Sequence, residues 1–228
     1  MLGLMWVAIA LSGAYLVVMC NLYRMTGRVQ AIARMFAPLG KAPDDLPAFS
    51  EIWPGSTAPV LIARGGQYRL GPMQWGWPPP GAGQRPVVNV RNLQSPMWRA
   101  ALEDPARRCV VPVTAFCEWS ASIDPQTRRK RPHWFALKDQ PLFAFAGLWR
   151  QTADGPRFAF LTCPANALVG RVHPKAMPVI LASGEAAMAW LTADAERAEA
   201  MQRPFAEAAM IEIADERQAA PPAQPRLL

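Results

Sequence analysis

Few residues in this chain combine reactive groups with otherwise apolar surroundings. Cys20 follows Met19 in the run Met19-Cys20-Asn21-Leu22-Tyr23; with Met19 removed, it would present an amine and a thiol on neighbouring carbons. Glu118 lies between Cys117 and Trp119, where burial would raise its pKa toward the range of a general acid or base. Taken alone, a carboxylate paired with an arginine at a strand end explains Glu118 better. His173 sits in Arg171-Val-His-Pro-Lys-Ala-Met-Pro178, a loop held by two prolines. It is a candidate proton carrier, although in isolation it reads more readily as a hydrogen-bonded loop histidine. Asn89 and Arg91 alternate along a short strand and so share a face, which suits a substrate contact beside a phosphate contact, or an ordinary solvent face. The four cysteines, Cys20, Cys109, Cys117 and Cys163, show no C-x-x-C spacing, and with only His133 and His173 they make no zinc set. Neither a metal nor a cofactor is expected, and reduced thiols fit a cytoplasmic protein.

The elements that must position these groups read as α+β: a mostly antiparallel, barrel-like sheet with a few covering helices. Val29, Ile32, Ala33 and Phe36 have helical spacing, and residues 38–54 form a Pro-rich connection. Residues 59–64 and 67–75 around Gly65-Gly66 predict a β-hairpin, followed by a rigid aromatic loop from Trp75 to Gly81. Val87 to Arg91 is a short strand, and Ser95-Pro96 opens a helix as N-cap and first-turn proline. Strands are expected over 108–119, 133–137, 142–149, 157–162 and 177–181, and helices over 183–191 and 193–201. Residues 218–228 form a Pro/Ala tail with the composition of a disordered segment.

Composition bounds the function. Of 228 residues, 51% are hydrophobic and 18% charged, enough for one good core. Residues 19–184 hold 20 Lys+Arg against 9 Asp+Glu, whereas residues 185–228 hold 4 against 8. Twenty of the 24 basic residues are Arg, whose forked donors suit phosphate. A nucleic acid is the natural partner, and an Arg-rich genomic composition explains the charge equally well. Residues 1–18 are uncharged and apolar, short for a bilayer span and without the charged start of a signal peptide. They are read as a mis-assigned start, a removed segment or an anchor. If retained as an anchor, Arg24, Arg28 and Arg34 would keep the rest on the cytoplasmic side of an inner membrane.

Taken together, Met19-Cys-Asn-Leu-Tyr23, Trp75-Gly76, Asn89-Val-Arg-Asn92 with Ser95-Pro-x-Trp98, Arg108-Cys-Val-Val-Pro112 leading to Phe116-x-Glu118, Phe145-Ala-Gly-Leu-Trp149 and His173-Pro-Lys-Ala-Met-Pro-Val-Ile-Leu181 resemble the SRAP family, the SOS-response-associated peptidases or abasic-site processing proteins. The resemblance runs in order from Met19 to about residue 205. It implies a catalytic domain over 19–213 and a tail over 214–228. It also implies that Cys20 is the catalytic cysteine, exposed as the N-terminus, with Asn89, Glu118 and His173 on the other active-site positions. Family members bind single-stranded DNA at an abasic site, join it covalently and shield the lesion in the DNA damage (SOS) response; they are also credited with releasing residues that precede the cysteine. Three positions depart from the family's pattern: Asn21-Leu22 replaces glycine and arginine, leaving Arg24 as the candidate for a lost phosphate contact, and Leu93 replaces an acidic residue. Arg91 and Lys175 would grip phosphate, and Trp75 or Trp77 would stack on a base.

The implied reaction suits an N-terminal cysteine. An abasic sugar opens to an aldehyde, an amine condenses with it to a Schiff base, and a thiol closes a five-membered thiazolidine. An α-amino group with a pKa near 7.7–8.0 is roughly 10–15% neutral at pH 7, against fewer than about one lysine in a thousand. Residues left before Cys20 would convert its nitrogen to an amide, so they must be absent or cut away, for instance by thiol attack at the Met19-Cys20 bond. The same intermediate admits lyase activity. A monomer associated with the nucleoid or replication fork is expected, with no obligatory protein partner. Two alternatives stay open: a cysteine peptidase or amidohydrolase using the Cys20 thiol on an external acyl substrate, and a non-catalytic membrane-tethered DNA-binding module.

Overall fold

The structure, a computed structural model, describes residues 20–36, 47–64, 67–79, 81 and 83–215. The apolar segment 1–18, the Gly65-Gly66 pair and the tail 218–228 discussed above lie outside the described residues.

Five strands close into a barrel. β3 (Thr57–Arg64) and β4 (Gln67–Trp75) pair from Thr57 opposite Gln74 to Arg64 opposite Gln67, the register a two-residue turn requires. β6 (Arg108–Val113) joins β3, β9 (Phe143–Thr152) joins β6, and β10 (Gly155–Cys163) pairs with both β9 and β4. The ring β10-β4-β3-β6-β9 thereby leaves no open edge among its members. One seam, β10 with β4, is parallel, and the short β5 (Asn89–Val90) runs parallel to β10 as well. The expected strand over 87–91 therefore holds only two residues. Inward side chains at period two, Phe158 and Phe160 of β10, Phe145 of β9 and Trp75 of β4, fill the interior as an aromatic stack. Gly147 lets this wall close tightly: a Cβ there would stand 2.8 Å from Cys109 Sγ and 3.2 Å from the Ala159 carbonyl oxygen.

A second sheet of β1 (Leu22–Met25), β2 (Phe49–Ile52), β7 (Ala115–Ile123), β8 (Lys130–Leu137) and β13 (Met210–Ile213) has the order β13-β8-β7-β1-β2. It lays one face on the barrel. Tyr23 of β1 packs edge-on against Trp75, Phe145 and Phe160 at 5.3, 5.9 and 6.1 Å between ring centres, and Phe116 of β7 meets Phe145 at 5.9 Å. The other face holds a smaller cluster of Leu22, Ala115, Cys117 and Trp134.

Four expectations need correction. Residues 108–119 do not form one strand: β6 ends at Val113 and β7 begins at Ala115 in the other sheet. Thr114 makes the crossing, its N–H donating to the Arg24 carbonyl at 2.8 Å. Residues 177–181 split into β11 (Met177–Pro178) on β10 and β12 (Ile180–Leu181) on β9, because Val179 hydrogen-bonds to both neighbours. β2 and β13 were not expected; they are the two edges of their sheet, each only four residues long. Helix α2 (Pro96–Glu103) starts after Ser95 as expected, yet the Ser95 side chain makes no capping bond. Helices α1 (Val29–Met35), α3 (Ala167–Gly170), α4 (Gly184–Thr192) and α5 (Ala195–Ala200) complete the cover. No helix among the described residues is long and apolar enough to cross a membrane.

Candidate active site

Cys20 enters the second sheet just ahead of β1, whose Leu22 pairs with Cys117 of β7. Its thiol lies 3.8 Å from the Cys117 carbonyl oxygen and 4.0 Å from that of Leu22, and it interacts with the carboxyl of Glu118, the next residue of β7. Phe116 and Glu118 share a strand parity, so Glu118 points to the barrel side of the sheet, as Tyr23 does. There Glu118 Oε2 stands 3.0 Å from His173 Nδ1. The distance is that of an ion pair, but the ring N–H is off the line to the carboxylate, so Nδ1 has no aligned hydrogen-bond partner. The other histidine, His133, faces Glu118 across β7 and β8 but gives its Nδ1 to Glu212 Oε1 at 2.8 Å.

The loop bearing His173 is held from three sides. α3 begins at Asn166, whose Oδ1 accepts from Val169 N–H at 2.9 Å while its Nδ2 donates to the Phe205 carbonyl. His173 N–H closes the turn on the Val169 carbonyl at 2.9 Å. Arg91 Nη1 donates to the carbonyls of Lys175 and Cys163 at 2.8 and 3.3 Å, tying β5 and the end of β10 to this loop. Asn89, two residues earlier, pairs with Phe160 and so faces the barrel interior with it. Thr162, two residues beyond Phe160, shares that face.

Four polar atoms of this region, Asn89 Nδ2, Glu118 Oε1, Thr162 Oγ1 and His173 Nδ1, are buried without a hydrogen-bond partner. A buried polar group left unpaired costs about 1–3 kcal/mol, and a cluster of them calls for an explanation, of which a catalytic role is one. Burial pushes the Glu118 carboxyl above its ordinary value, against the opposing pull of His173 and Cys20. Burial, then the charge of Glu118, raises the Cys20 thiol well above the usual cysteine range, so it rests protonated. Cys117, on the far face, is pushed up to about 12 by burial first and Glu118 second.

The sequence matches the SOS response associated peptidase (SRAP) family over residues 19–216. The chain belongs to that family. Among SRAP relatives it is 34% identical over 140 residues to the abasic site processing protein YoqW of Bacillus subtilis (strain 168), covering 56% of this chain and 60% of that protein. It is 32% identical over 141 residues to YoaM of the same organism, also named an abasic site processing protein, covering 57% and 60%. The match thus spans about 60% of the length of these relatives. The SRAP fold recurs in solved structures. A Bacteroides thetaiotaomicron protein superposes with a TM-score of 0.70 at 19% identity, covering 90% of this chain and 97% of its own. A phage-related protein from Bordetella bronchiseptica gives 0.68 at 19%, covering 86% and 95%.

Of the residues expected to hold DNA in this SRAP domain, three are placed elsewhere by the structure. Trp75 is fully buried in the barrel stack, and Trp77 is buried against Trp98 with ring centres 4.8 Å apart, so neither offers a face to a base. Arg24 is buried, its Nη2 2.7 Å from Asp215 Oδ1 and its guanidinium 3.5 Å over the Trp134 ring; an internal partner takes up its charge. Arg91 and Lys175 remain exposed beside the His173 loop. The aromatic surface near Cys20 is instead Trp53 and Trp119, stacked with ring centres 6.3 Å apart, with Trp119 Nε1 donating to Asn21 Oδ1 at 3.0 Å. Trp119 stood in plain view beside Glu118, and Thr162 is legible as the polar member of the alternation Phe158, Phe160, Thr162.

Proposed function

We propose that this SRAP domain, in its working form beginning at Cys20, binds single-stranded DNA at an abasic site and joins it through a thiazolidine made from the Cys20 amine and thiol. The observation that carries the reading is the Glu118–His173 pair, 3.0 Å apart beside the Cys20 thiol, with further unpartnered polar atoms on Asn89 and Thr162. The names of the Bacillus relatives, and a family match beginning at residue 19, support it.

His173 gives a proton to the ring oxygen while the C1′ hydroxyl loses its proton to water, so the abasic ring opens and frees the C1′ aldehyde. The neutral Cys20 amine adds to C1′, and Asn89 holds the terminus in line. Glu118, whose carboxyl burial pushes above its ordinary value, acts in its protonated form and gives its proton to the carbinolamine hydroxyl, which leaves as water. The resulting carboxylate then takes the thiol proton as sulfur adds to the iminium carbon. Glu118 thus gives one proton and takes one back, ending protonated as it began, and one water is released for each thiazolidine formed. Arg91 and Lys175 grip phosphate, and the Trp53–Trp119 pair offers a base-stacking surface. A Schiff base at C1′ is also where strand cleavage would begin, so lyase activity belongs to the same site. Residues before Cys20 must be gone before the amine can react; attack of the thiol on the Met19 carbonyl, with its proton passing to the departing Cys20 nitrogen and water then hydrolysing the thioester, is a route to their release.

A cysteine peptidase acting on external acyl groups needs a thiolate, which forms where the thiol pKa is depressed. Cys20 is shifted the opposite way, which favours amine attack first. The test incubates protein starting at Cys20 with a single-stranded oligonucleotide bearing one abasic site. An adduct that survives denaturation and is lost in Cys20→Ala supports the proposal; equal adduct with Cys20→Ala overturns it. Cys20→Ser, with amine but no thiol, should need borohydride to trap its adduct.

A further inference from the structure

The hairpin joining β7 to β8 extends from the site and ends in the densest run of positive charge in the chain, Arg128-Arg129-Lys130-Arg131. Its geometry is fixed internally. Asp124 Oδ1 accepts the N–H groups of Gln126 and Thr127 at 2.9 and 2.8 Å, and Asp124 N–H donates to the Arg129 carbonyl at 2.8 Å. Arg128 occupies the left-handed region at φ 57° and is exposed at the tip. Asp124 is buried and pairs with Arg131, so the turn uses its acidic group to neutralise one cation. Arg128, Arg129 and Lys130 are exposed and make no ion pair among the described residues. Ile123, opposite Lys130, is an exposed apolar residue at 53% accessibility.

Three uncompensated cations on a preset turn beside an exposed apolar side chain suit a polyanion with apolar sugar surface. The separation from the site is set by the strand: Glu118 to Asp124 is six residue steps, or at most about 20 Å at ~3.3 Å per residue. That matches about six nucleotides at the ~3.4 Å per-strand spacing of duplex DNA. We infer that the β7–β8 hairpin tip is a second DNA contact, in which Arg128, Arg129 and Lys130 hold backbone phosphates several nucleotides from the residue bound at Cys20. The inference rests on the proposed function for the identity of the polyanion and adds a contact remote from the reacting atoms. The continuing single strand and a duplex arm offer the same phosphates.

The experiment uses the full chain and labelled oligonucleotides carrying a stable tetrahydrofuran abasic analogue. The variant combines Arg128→Asn, which tolerates the left-handed backbone, with Arg129→Gln and Lys130→Gln, and its thermal unfolding is compared with wild type. Affinity is measured against salt on three probes: one whose flanks end about three nucleotides from the lesion, one continued as single strand to about ten, and one continued as duplex. On a long probe the slope of log affinity against log salt should fall by about 2 if the single strand is engaged, near 0.7 per lost contact, or by about 2.7 if the duplex is, near 0.9 per contact, with no change on the short probe. The long probe that shows the drop identifies the strand form engaged. An unchanged slope on both long probes, or an equal drop on the short one, overturns the inference. Adduct formation by protein processed to Cys20 is scored separately at saturating DNA. A slope that drops in the variant while wild type forms no adduct refutes the proposed chemistry and leaves the tip contact standing, whereas adduct formation by wild type with slopes unchanged in the variant does the reverse.

Discussion

Replacing Arg24 with Ala separates two physical accounts of that residue. As a phosphate contact, Arg24 would be a solvated side chain whose loss weakens DNA binding and leaves folding nearly unchanged. The structure instead buries its side chain to 9% exposure and that of Asp215 to 5%, with 2.7 Å between Nη2 and Oδ1 and the guanidinium 3.5 Å over Trp134. Removing one partner from such a pair leaves a desolvated charge and costs about 3–5 kcal/mol. For a domain of this size, that corresponds to a fall in Tm of roughly 6–20 °C. Urea unfolding of wild type, Arg24→Ala, Asp215→Asn and the double variant should give a favourable coupling of at least about 1 kcal/mol between the two sites. The salt slope of DNA binding by the folded variant should stay at the wild-type value. A stability loss below about 1 kcal/mol, the range of an exposed ion pair, together with a slope reduced by about 0.7, would refute the reasoning and restore the phosphate contact.

Other perturbations follow from the site. Glu118 has its pKa raised by burial, so the folded protein binds its proton more tightly than the unfolded chain. The associated stability is present below the ordinary carboxylate pKa and is lost as pH rises through the folded value. Glu118→Gln should therefore gain stability relative to wild type as pH rises above the ordinary carboxylate range, while slowing adduct formation by about 10²–10⁴-fold; a Tm difference that does not vary with pH would contradict this. His173→Ala should slow adduct formation by a similar factor on a closed-ring abasic site and by much less on an oligonucleotide carrying a preformed aldehyde, read by quenched-flow gels. Trp119→Ala should weaken binding of abasic single-stranded DNA by about 1–3 kcal/mol, whereas Trp75→Phe should lower Tm with little change in the affinity of folded protein. Fluorescence titration and thermal melts distinguish the two.

The parts of the fold legible in the sequence were those with strong local punctuation. The β3–β4 hairpin declared itself through alternating residues around two glycines, and α1 through the spacing of Val29, Ile32 and Phe36. The β6–β7 boundary did not: residues 109–117 are apolar on both faces because both strands are buried, and Thr114, the crossing point, carries no turn signature. The edge strands β2 and β13 are only four residues long, too short for their alternation to be told from loop. At the site, Cys20, Asn89, Glu118 and His173 were found as single residues with ordinary alternative explanations, and their neighbourhood became visible only once β1, β7 and the α3 loop met. Trp75 and Trp77 misled because aromatic residues among prolines and glycines resemble an exposed loop, whereas closing the barrel places them inside. Arg24 misled because nothing local reveals Asp215, distant in sequence, as its partner.

The central claim is that the amine and thiol of one residue, Cys20, both bond to the abasic carbon. Mass mapping of the adduct tests it most directly: protein expressed from its own gene is reacted with abasic single-stranded DNA, digested with nuclease and protease, and the modified peptide is sequenced. The account predicts a peptide that begins at Cys20, carries the sugar remnant on that residue with the loss of one water, and needs no borohydride to survive. A remnant on a lysine, or a crosslinked peptide in which Met19 still precedes Cys20, would contradict it.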